Sequence, residues 1–374
     1  MSNLVPVQAS EIALGRPLRH SVYDRNGQLL LRAGATIAIP HYLDALLANG
    51  LFFDQAEVDG ERCAAEAPSA FAQAEKLLRS LQQVYVQFAE DADRGDLPER
   101  IRQIAGQLMR ACGEDGDAVL AALHLDRLTP YRVHHQMLAA TIIELTTRTM
   151  ALAEGERLPL VCAALTHDIA LVGSDPVLEG LRTPLTEEQR AVIRAHPRCG
   201  VEVLSSRGVV DAIWLDAVAQ HHECMDGSGY PQGLRGDAIG RGGRLLAIAD
   251  VYSAMIRSRP YRGNAFFPQN VWRDIFLNRH KYVSELTQLV VRSIGMMPPG
   301  SLVRLANNEM AVVRSRGSGA LGARVVSVCS LAGVPLPAPV ERDVTNPAYA
   351  VVGKANNDQF RSVELIMRRL WLAG

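Results

Sequence analysis

From Ser69 onward, apolar residues return at intervals of three and four: Phe71, Ala74, Leu78, Leu81, Tyr85 and Phe88. That period lines them up on one stripe of an amphipathic helix. Gly95 and Pro98 interrupt the stripe, and Ile101, Ile104, Leu108 and Cys112 resume it. The pattern predicts further helices over Val119 to Leu125, Gln136 to Met150, Leu158 to Leu165, Glu187 to Ala195, Val209 to His222, Leu245 to Ile256 and Gln269 to Ile294. Upstream the pattern changes. Pro17 to Tyr23 reads as a strand, Asp24-Arg25-Asn26-Gly27 as a turn and Gln28 to Leu31 as the returning strand. A helix from about Pro40 to Leu47 follows, stopped by Asn49-Gly50. Beyond Pro298-Pro299-Gly300, Leu302 to Leu305 and Met310 to Arg314 flank an Asn307-Asn308 turn. Arg324 to Cys329 is a third strand candidate, and a short helix closes the chain near Ser362 to Leu370.

The expected fold is mainly α. A small α+β module spans 1–62, a helical linker 63–127, a helical core 128–296 and a β-rich extension 297–374. The N-terminal module carries no catalytic chemistry and reads as a docking or dimer-forming unit. At 374 residues and 48% hydrophobic, the chain is long and apolar enough for more than one packed core.

Charge changes this picture little. Lys plus Arg is 39 and Asp plus Glu is 40, a net charge of -1. That balance gives no electrostatic reason to expect a nucleic-acid polymer or an anionic membrane as partner. Six cysteines are scattered without a C-x-x-C pair, which points to reduced thiols in a cytoplasmic protein. The start, Met1-Ser2-Asn3-Leu4, lacks the basic and apolar regions of a signal peptide. No apolar run reaches the roughly 18–20 residues of a membrane span.

Chemistry concentrates in His221-His222-Glu223-Cys224-Met225-Asp226-Gly227-Ser228-Gly229-Tyr230-Pro231. Adjacent imidazoles are poor core material, because each neutral ring needs a polar partner when buried. Neutral imidazole is also the commonest metal ligand. Other polar residues sit equally badly in apolar stretches: His167-Asp168 after Val161 to Thr166, His196-Pro197, and Asp250 within Leu246 to Tyr252. One shared site accommodates them more economically than several separate ones. Imidazole and carboxylate donors without thiolate spacing allow Mn, Fe, Ni, Co or catalytic Zn. The ligand count exceeds the needs of one ion with an open position. A pair bridged by a carboxylate suits phosphodiester hydrolysis.

These residues resemble the HD-GYP family of cyclic di-GMP phosphodiesterases, a branch of the HD metal-hydrolase superfamily. The likeness is strongest over 128–265. It rests on His167-Asp168, Pro184-Leu185-Thr186-Glu187-Glu188, His196-Pro197-Arg198-Cys199-Gly200, His221 through Leu234, Ala247 to Val251, and Arg259-Pro260-Tyr261-Arg262. The β-rich C-terminal piece is similar to one found on some members. The resemblance implies His135, His167, Asp168, His196, His221, His222 and Asp250 as ligands of two divalent transition-metal ions. Iron or manganese is the leading choice, with nickel, cobalt or zinc as alternatives. Asp168 would bridge the ions, and His167, Asp168 and Asp226 would serve the chemistry. Arg259 and Arg262 would hold substrate phosphate, with Gly229 and Tyr230 over the site. The implied reaction opens cyclic di-GMP to pGpG, with onward cleavage to GMP left open. Implied partners are cyclic di-GMP and GGDEF-domain or other signalling proteins, and a homodimer is one open arrangement. Some members bind a third metal through a Glu one helical turn before the first His; Tyr131 stands there, so two metals are expected.

The sequence departs from the family in places. The usual His-Asp-Ile-Gly-Lys reads His167-Asp168-Ile169-Ala170-Leu171, Ser253 replaces an Asp, and Ile256-Arg257 replace a Thr-Ser pair. No ligand position is lost, but a cation near the scissile phosphate is gone. A second reading is therefore a weakly active or inactive receptor for cyclic di-GMP. Blander roles compete residue by residue. Asp168 could cap a helix, His196-Pro197 could stop one, and Asp250 could pair with Arg244.

Overall fold

The computed structural model describes residues 4–7, 12, 15–37, 46, 51–54, 68–91, 96–173, 186–257, 267–317, 322–355 and 363–372. The chain separates into two compact units, divided between Pro68 and Ser69.

In the N-terminal unit, β1 (Leu4–Pro6), β2 (Val22–Tyr23), β3 (Leu29–Leu31) and β4 (Phe52–Asp54) form an antiparallel sheet in the order β1-β4-β2-β3. Asp24 Oδ1 accepts from the amides of Asn26 and Gln28, which closes the turn between β2 and β3. Ile12, Leu18, Val22, Ile37, Leu51 and Phe53 form a small core of their own. The strand expected from Pro17 is shorter than the pattern implied. Pro17 makes only an isolated bridge to Thr36. The helix expected at Pro40 to Leu47 lies outside the described residues, apart from Leu46.

The larger unit is helical at its centre. Its helices are α1 (Ala70–Ala89), α2 (Leu97–Leu125), α3 (Tyr131–Thr149), α4 (Glu154–Thr166), α5 (Glu187–Ser206), α6 (Ala212–Gln220), α7 (Arg241–Ile256), α8 (Pro268–Leu277) and α9 (Ser284–Ile294). Ser69 caps α1 by accepting from the Ala72 amide. α2 is two helices in succession: Asp115 leaves the helical backbone, and its carboxylate caps the second half at Ala118. α3 is buried on every side from Val133 to Thr147, so it is the axle of the unit. Its buried Glu144 carboxylate is held by Arg157 and Arg148 at 2.6 and 3.1 Å. α6 and α7 approach closely because the first turn of α7 carries Gly242 and Gly243. A Cβ at Gly243 would lie 2.7 Å from Gln220 Cβ. The single helix expected over Gln269 to Ile294 is instead α8 and α9, separated by a turn at residues 278–283.

A second antiparallel sheet follows, in the order β8-β7-β6-β5-β9: β5 (Leu302–Leu305), β6 (Glu309–Ser315), β7 (Arg324–Ser330), β8 (Pro335–Arg342) and β9 (Val351–Lys354). Its two-residue period sends Leu302, Met310, Val312, Val326 and Val328 into the helical core. The alternate residues Val303, Leu305, Ala311, Val313 and Val325 join Phe267 and Met297 on the opposite face. The strands β5, β6 and β7 are thus buried on both faces, while β8 and β9 are largely exposed. α10 (Glu364–Leu372) returns to α1, where Trp371 stacks on Phe71. Among the described residues, no helix is long and apolar enough to cross a membrane.

Candidate metal centre

Helix ends deliver four of the seven expected ligands, His167, Asp168, His221 and His222. His167 caps the C-terminus of α4, and His221 caps the C-terminus of α6. The last carbonyls of a helix have no intrahelical partner. His167 Nδ1 therefore bonds the Ala164 carbonyl at 2.8 Å, and His221 Nδ1 bonds that of Val218 at 2.7 Å. His196 lies inside α5 but finds the same arrangement, because Pro197 has no N–H to offer the Ile193 carbonyl. His196 Nδ1 takes that carbonyl at 2.5 Å. A carbonyl only accepts, so each Nδ1 carries the proton and each Nε2 presents a lone pair. Behind His167, the Trp214 indole of α6 donates to Thr166 Oγ1 at 2.8 Å and ties the two helix ends together.

These lone pairs converge. His135, His167 and Asp250 form one group, and His196, His221 and His222 a second; within each, the potential ligand atoms lie within 4.8 Å of one another. His135 and His167 bring their Nε2 atoms to 3.3 Å, and His196 and His221 to 3.0 Å. Two carboxylates span the groups. Asp168 Oδ1 lies 3.3 Å from His196 Nε2, while its Oδ2 lies 3.8 Å from His135 Nε2. Asp250 sets Oδ1 at 2.9 Å from His135 Nε2 and Oδ2 at 3.7 Å from His222 Nδ1. The seven residues expected as ligands are therefore brought together in one buried pocket. His134, the neighbour of His135, turns away and bonds the Leu123 carbonyl.

Electrostatics follow from this packing. Burial by itself would raise the Asp168 carboxyl pKa, but His167, His196, His135 and Arg132 outweigh it and hold the group below the carboxylate range. Asp250 is likewise held down against burial, chiefly by the His135 and His167 imidazoles beside it. Burial lowers His222 to about 4 and His221 well below its ordinary value, so both rings are neutral at physiological pH. His167 runs the other way. Burial opposes its charge, yet Asp168 and Asp250 raise its pKa. Facing lone pairs 3.0 Å apart repel unless a cation or proton sits among them. Neutral imidazoles with backbone-held Nδ1 atoms, interleaved with ionised carboxylates, are a donor set that fits divalent transition metals.

The glycine-rich turn lies beside this pocket. Buried Glu223 accepts from the Gln232 and Leu234 amides at 2.7 and 2.9 Å and so pins the turn. Gly229 passes too close to the chain for any side chain: a Cβ there would sit 2.4 Å from the Cys224 amide nitrogen. Tyr230 lies against His222, with ring centroids 4.7 Å apart. Asp226 stands at the rim, accepting from the Ser228 hydroxyl and amide, with His280 Nε2 at 3.8 Å. Those Ser228 bonds lower its pKa. Arg259 and Arg262 lie outside the described residues. Arg244 bonds Ile239 O, Gly236 O and Asp237.

Three residues that sequence reasoning did not assign belong to this site. Arg132, one turn before His135, brings Nη1 to 3.8 Å from Asp168 Oδ2. Its i, i+3 spacing from His135 was the available signal. Glu223 holds the turn, and Ser253 Oγ lies 2.9 Å from His135 Nδ1. No spacing rule joins residues 118 positions apart.

Residues 118–267 match the sequence profile described as HD domain. The chain is 30% identical over 228 residues to the cyclic di-GMP phosphodiesterase PA4108 of Pseudomonas aeruginosa, covering 59% of this chain and 54% of that one. It is 31% identical over 172 residues to the cyclic di-GMP phosphodiesterase response regulator RpfG of Xanthomonas campestris, covering 46% and 42%. It is 32% identical over 138 residues to the 3'3'-cGAMP-specific phosphodiesterase 3 of Vibrio cholerae, covering 37% and 30%. The chain thus spans about half the length of the first of these relatives, and less of the others. Among solved structures, an HDG"Y"P protein from Bdellovibrio bacteriovorus superposes with a TM-score of 0.52 at 16% identity, covering 77% of this chain and 98% of that one. That likeness is one of fold.

Proposed function

Residues 118–267 form an HD domain of the HD-GYP type, and from that premise we propose that the protein is a metal-dependent phosphodiesterase that opens cyclic di-GMP to pGpG. The observation that carries this reading is Asp168. Its two oxygens face different imidazole groups, at 3.3 and 3.8 Å, as a carboxylate shared by two ions must. His135, His167 and Asp250 would hold one ion, and His196, His221 and His222 the other. Two divalent ions, iron or manganese foremost, would supply Lewis acidity to a phosphodiester and acidify water beside it. The chain's own residues do the rest. The backbone carbonyls of Ala164, Ile193 and Val218 keep three imidazoles in the ligating tautomer. Arg132 adds positive charge beside Asp168. Tyr230 offers an aromatic face at the turn for a nucleobase. Asp226, ionised at neutral pH, is suited to accepting a proton rather than supplying one. Two of the relatives named above are cyclic di-GMP phosphodiesterases and one is specific for 3'3'-cGAMP. Both cyclic dinucleotides therefore belong in the assay.

The test is purified protein, loaded anaerobically with Mn or Fe, incubated separately with cyclic di-GMP and 3'3'-cGAMP. Release of pGpG that disappears in His167→Ala and Asp168→Asn supports the proposal. Turnover of 3'3'-cGAMP alone would move the substrate assignment. Tight binding of cyclic di-GMP without turnover would favour the receptor reading, which the apolar residue Leu171 motivates. Protein that takes up no metal under any loading condition would remove both readings of the centre.

A further inference from the structure

Four imidazoles of this centre have a hydrogen-bond partner for Nδ1, and three of those partners are backbone carbonyls three residues earlier. His135 is the exception. It lies in the second turn of α3, inside the helix rather than at its C-terminal end. Its Nδ1 instead meets Ser253 Oγ of α7 at 2.9 Å. Ser253 is fully buried, and its hydroxyl proton points to the Asp250 carbonyl three residues back, at 2.9 Å. With that proton committed, the lone pair left on Oγ faces His135 Nδ1.

We infer that Ser253 is the positioning residue for His135. It receives the Nδ1 proton and so turns the Nε2 lone pair toward the carboxylates and His167. The same hydroxyl bonds the backbone of Asp250, so one side chain sets the spacing of two ligands from different helices. A hydroxyl suits the position because it donates and accepts at once. Alanine there would leave a buried imidazole N–H without a partner, and a ring free to present either nitrogen. Removing such a partner of a ligating His typically weakens metal binding 10–100-fold. The inference rests on the metal-centre reading above.

The experiment compares wild type, Ser253→Ala and Ser253→Thr as full-length protein. Zn affinity is measured by chelator competition, and the tautomer by 15N NMR of histidine-labelled, Zn-loaded protein; His135 resonances are identified by their loss in His135→Gln. Melting of the metal-free proteins reports folding separately. The expected result is an approximately 10–100-fold weaker Zn site in Ser253→Ala. The His135 Nδ1–H signal should be lost or mixed, and Ser253→Thr should recover both wherever it folds. Wild-type affinity in Ser253→Ala, or an unchanged His135 tautomer in that variant, overturns the inference. Failure of wild type itself to bind Zn, Mn or Fe overturns the centre instead, and the two failures are thereby distinct.

Discussion

Pro197 and His196 work as a pair: because Pro197 has no amide hydrogen, the Ile193 carbonyl is left for His196 Nδ1, 2.5 Å away. Interior prolines ordinarily cost a helix about 3 kcal/mol. Here the lost helical bond orients a buried imidazole. Pro197→Ala would restore an N–H that competes for Ile193. The metal-free variant is expected to melt at a higher temperature while holding metal roughly tenfold more weakly. Calorimetry and chelator competition on the same preparation check this, and a tighter or unchanged metal site would contradict it.

The turn that carries Tyr230 depends on contacts a sequence motif only hints at. Gly229→Ala would drive a methyl group into the backbone of Glu223 and Cys224. The loop must then shift, and activity is expected to fall at least tenfold, while the imidazole core, built on helix ends, retains its metal. Glu223→Gln keeps the shape but replaces one amide acceptor with a donor, at a cost of about 1–3 kcal/mol. Metal content, urea denaturation and turnover on both variants separate loop from core.

Leu171 ends the short helical turn after Asp168 and is buried. If a missing cation limits the chemistry, Leu171→Lys is expected to raise turnover, by as much as the 10²–10³ that one electrostatic donor is worth elsewhere. Equal rates in the two proteins would show that position 171 has no part in the rate.

Acid should destabilise the metal-free protein before its carboxylates titrate. Burial lowers His124 to about 4, and burial followed by the nearby Arg257 charge depresses His134 well below its ordinary value. Between pH 6.5 and about 4 the unfolded chain binds these protons more readily than the folded one. Stability is therefore complete above pH 6.5 and is lost as pH falls, by about 1.4 kcal/mol per pH unit for each such group. His167, whose pKa is raised, acts in the opposite sense but is outnumbered. Urea denaturation at pH 5 and 7.5 measures the slope. His124→Asn should flatten it, and a pH-independent midpoint would rule the effect out.

Periodicity made most helices legible, because a helix that buries one stripe must repeat it every three to four residues. It failed where that premise lapsed. β8, which the pattern did not predict, contains Pro335, Pro337 and Pro339, and an edge strand tolerates residues that donate no hydrogen bond. The stripe over Gln269 to Ile294 hides the break between α8 and α9, since each helix buries residues three and four apart, Val271 and Ile275 in the first and Val290 and Ile294 in the second.

Residue types determined the chemistry available to this chain: imidazoles and carboxylates placed in apolar stretches must share partners, because burying them singly is costly. The His-Pro step and the glycine at position 229 also carried their meaning locally. Only the tertiary structure sorted those side chains into two groups and set Asp168 and Asp250 across them. Only it paired Ser253 with His135 and brought Arg132 to Asp168. Those relations depend on how helices far apart in sequence pack against the buried face of α3, and packing distance is not a periodic property of the chain.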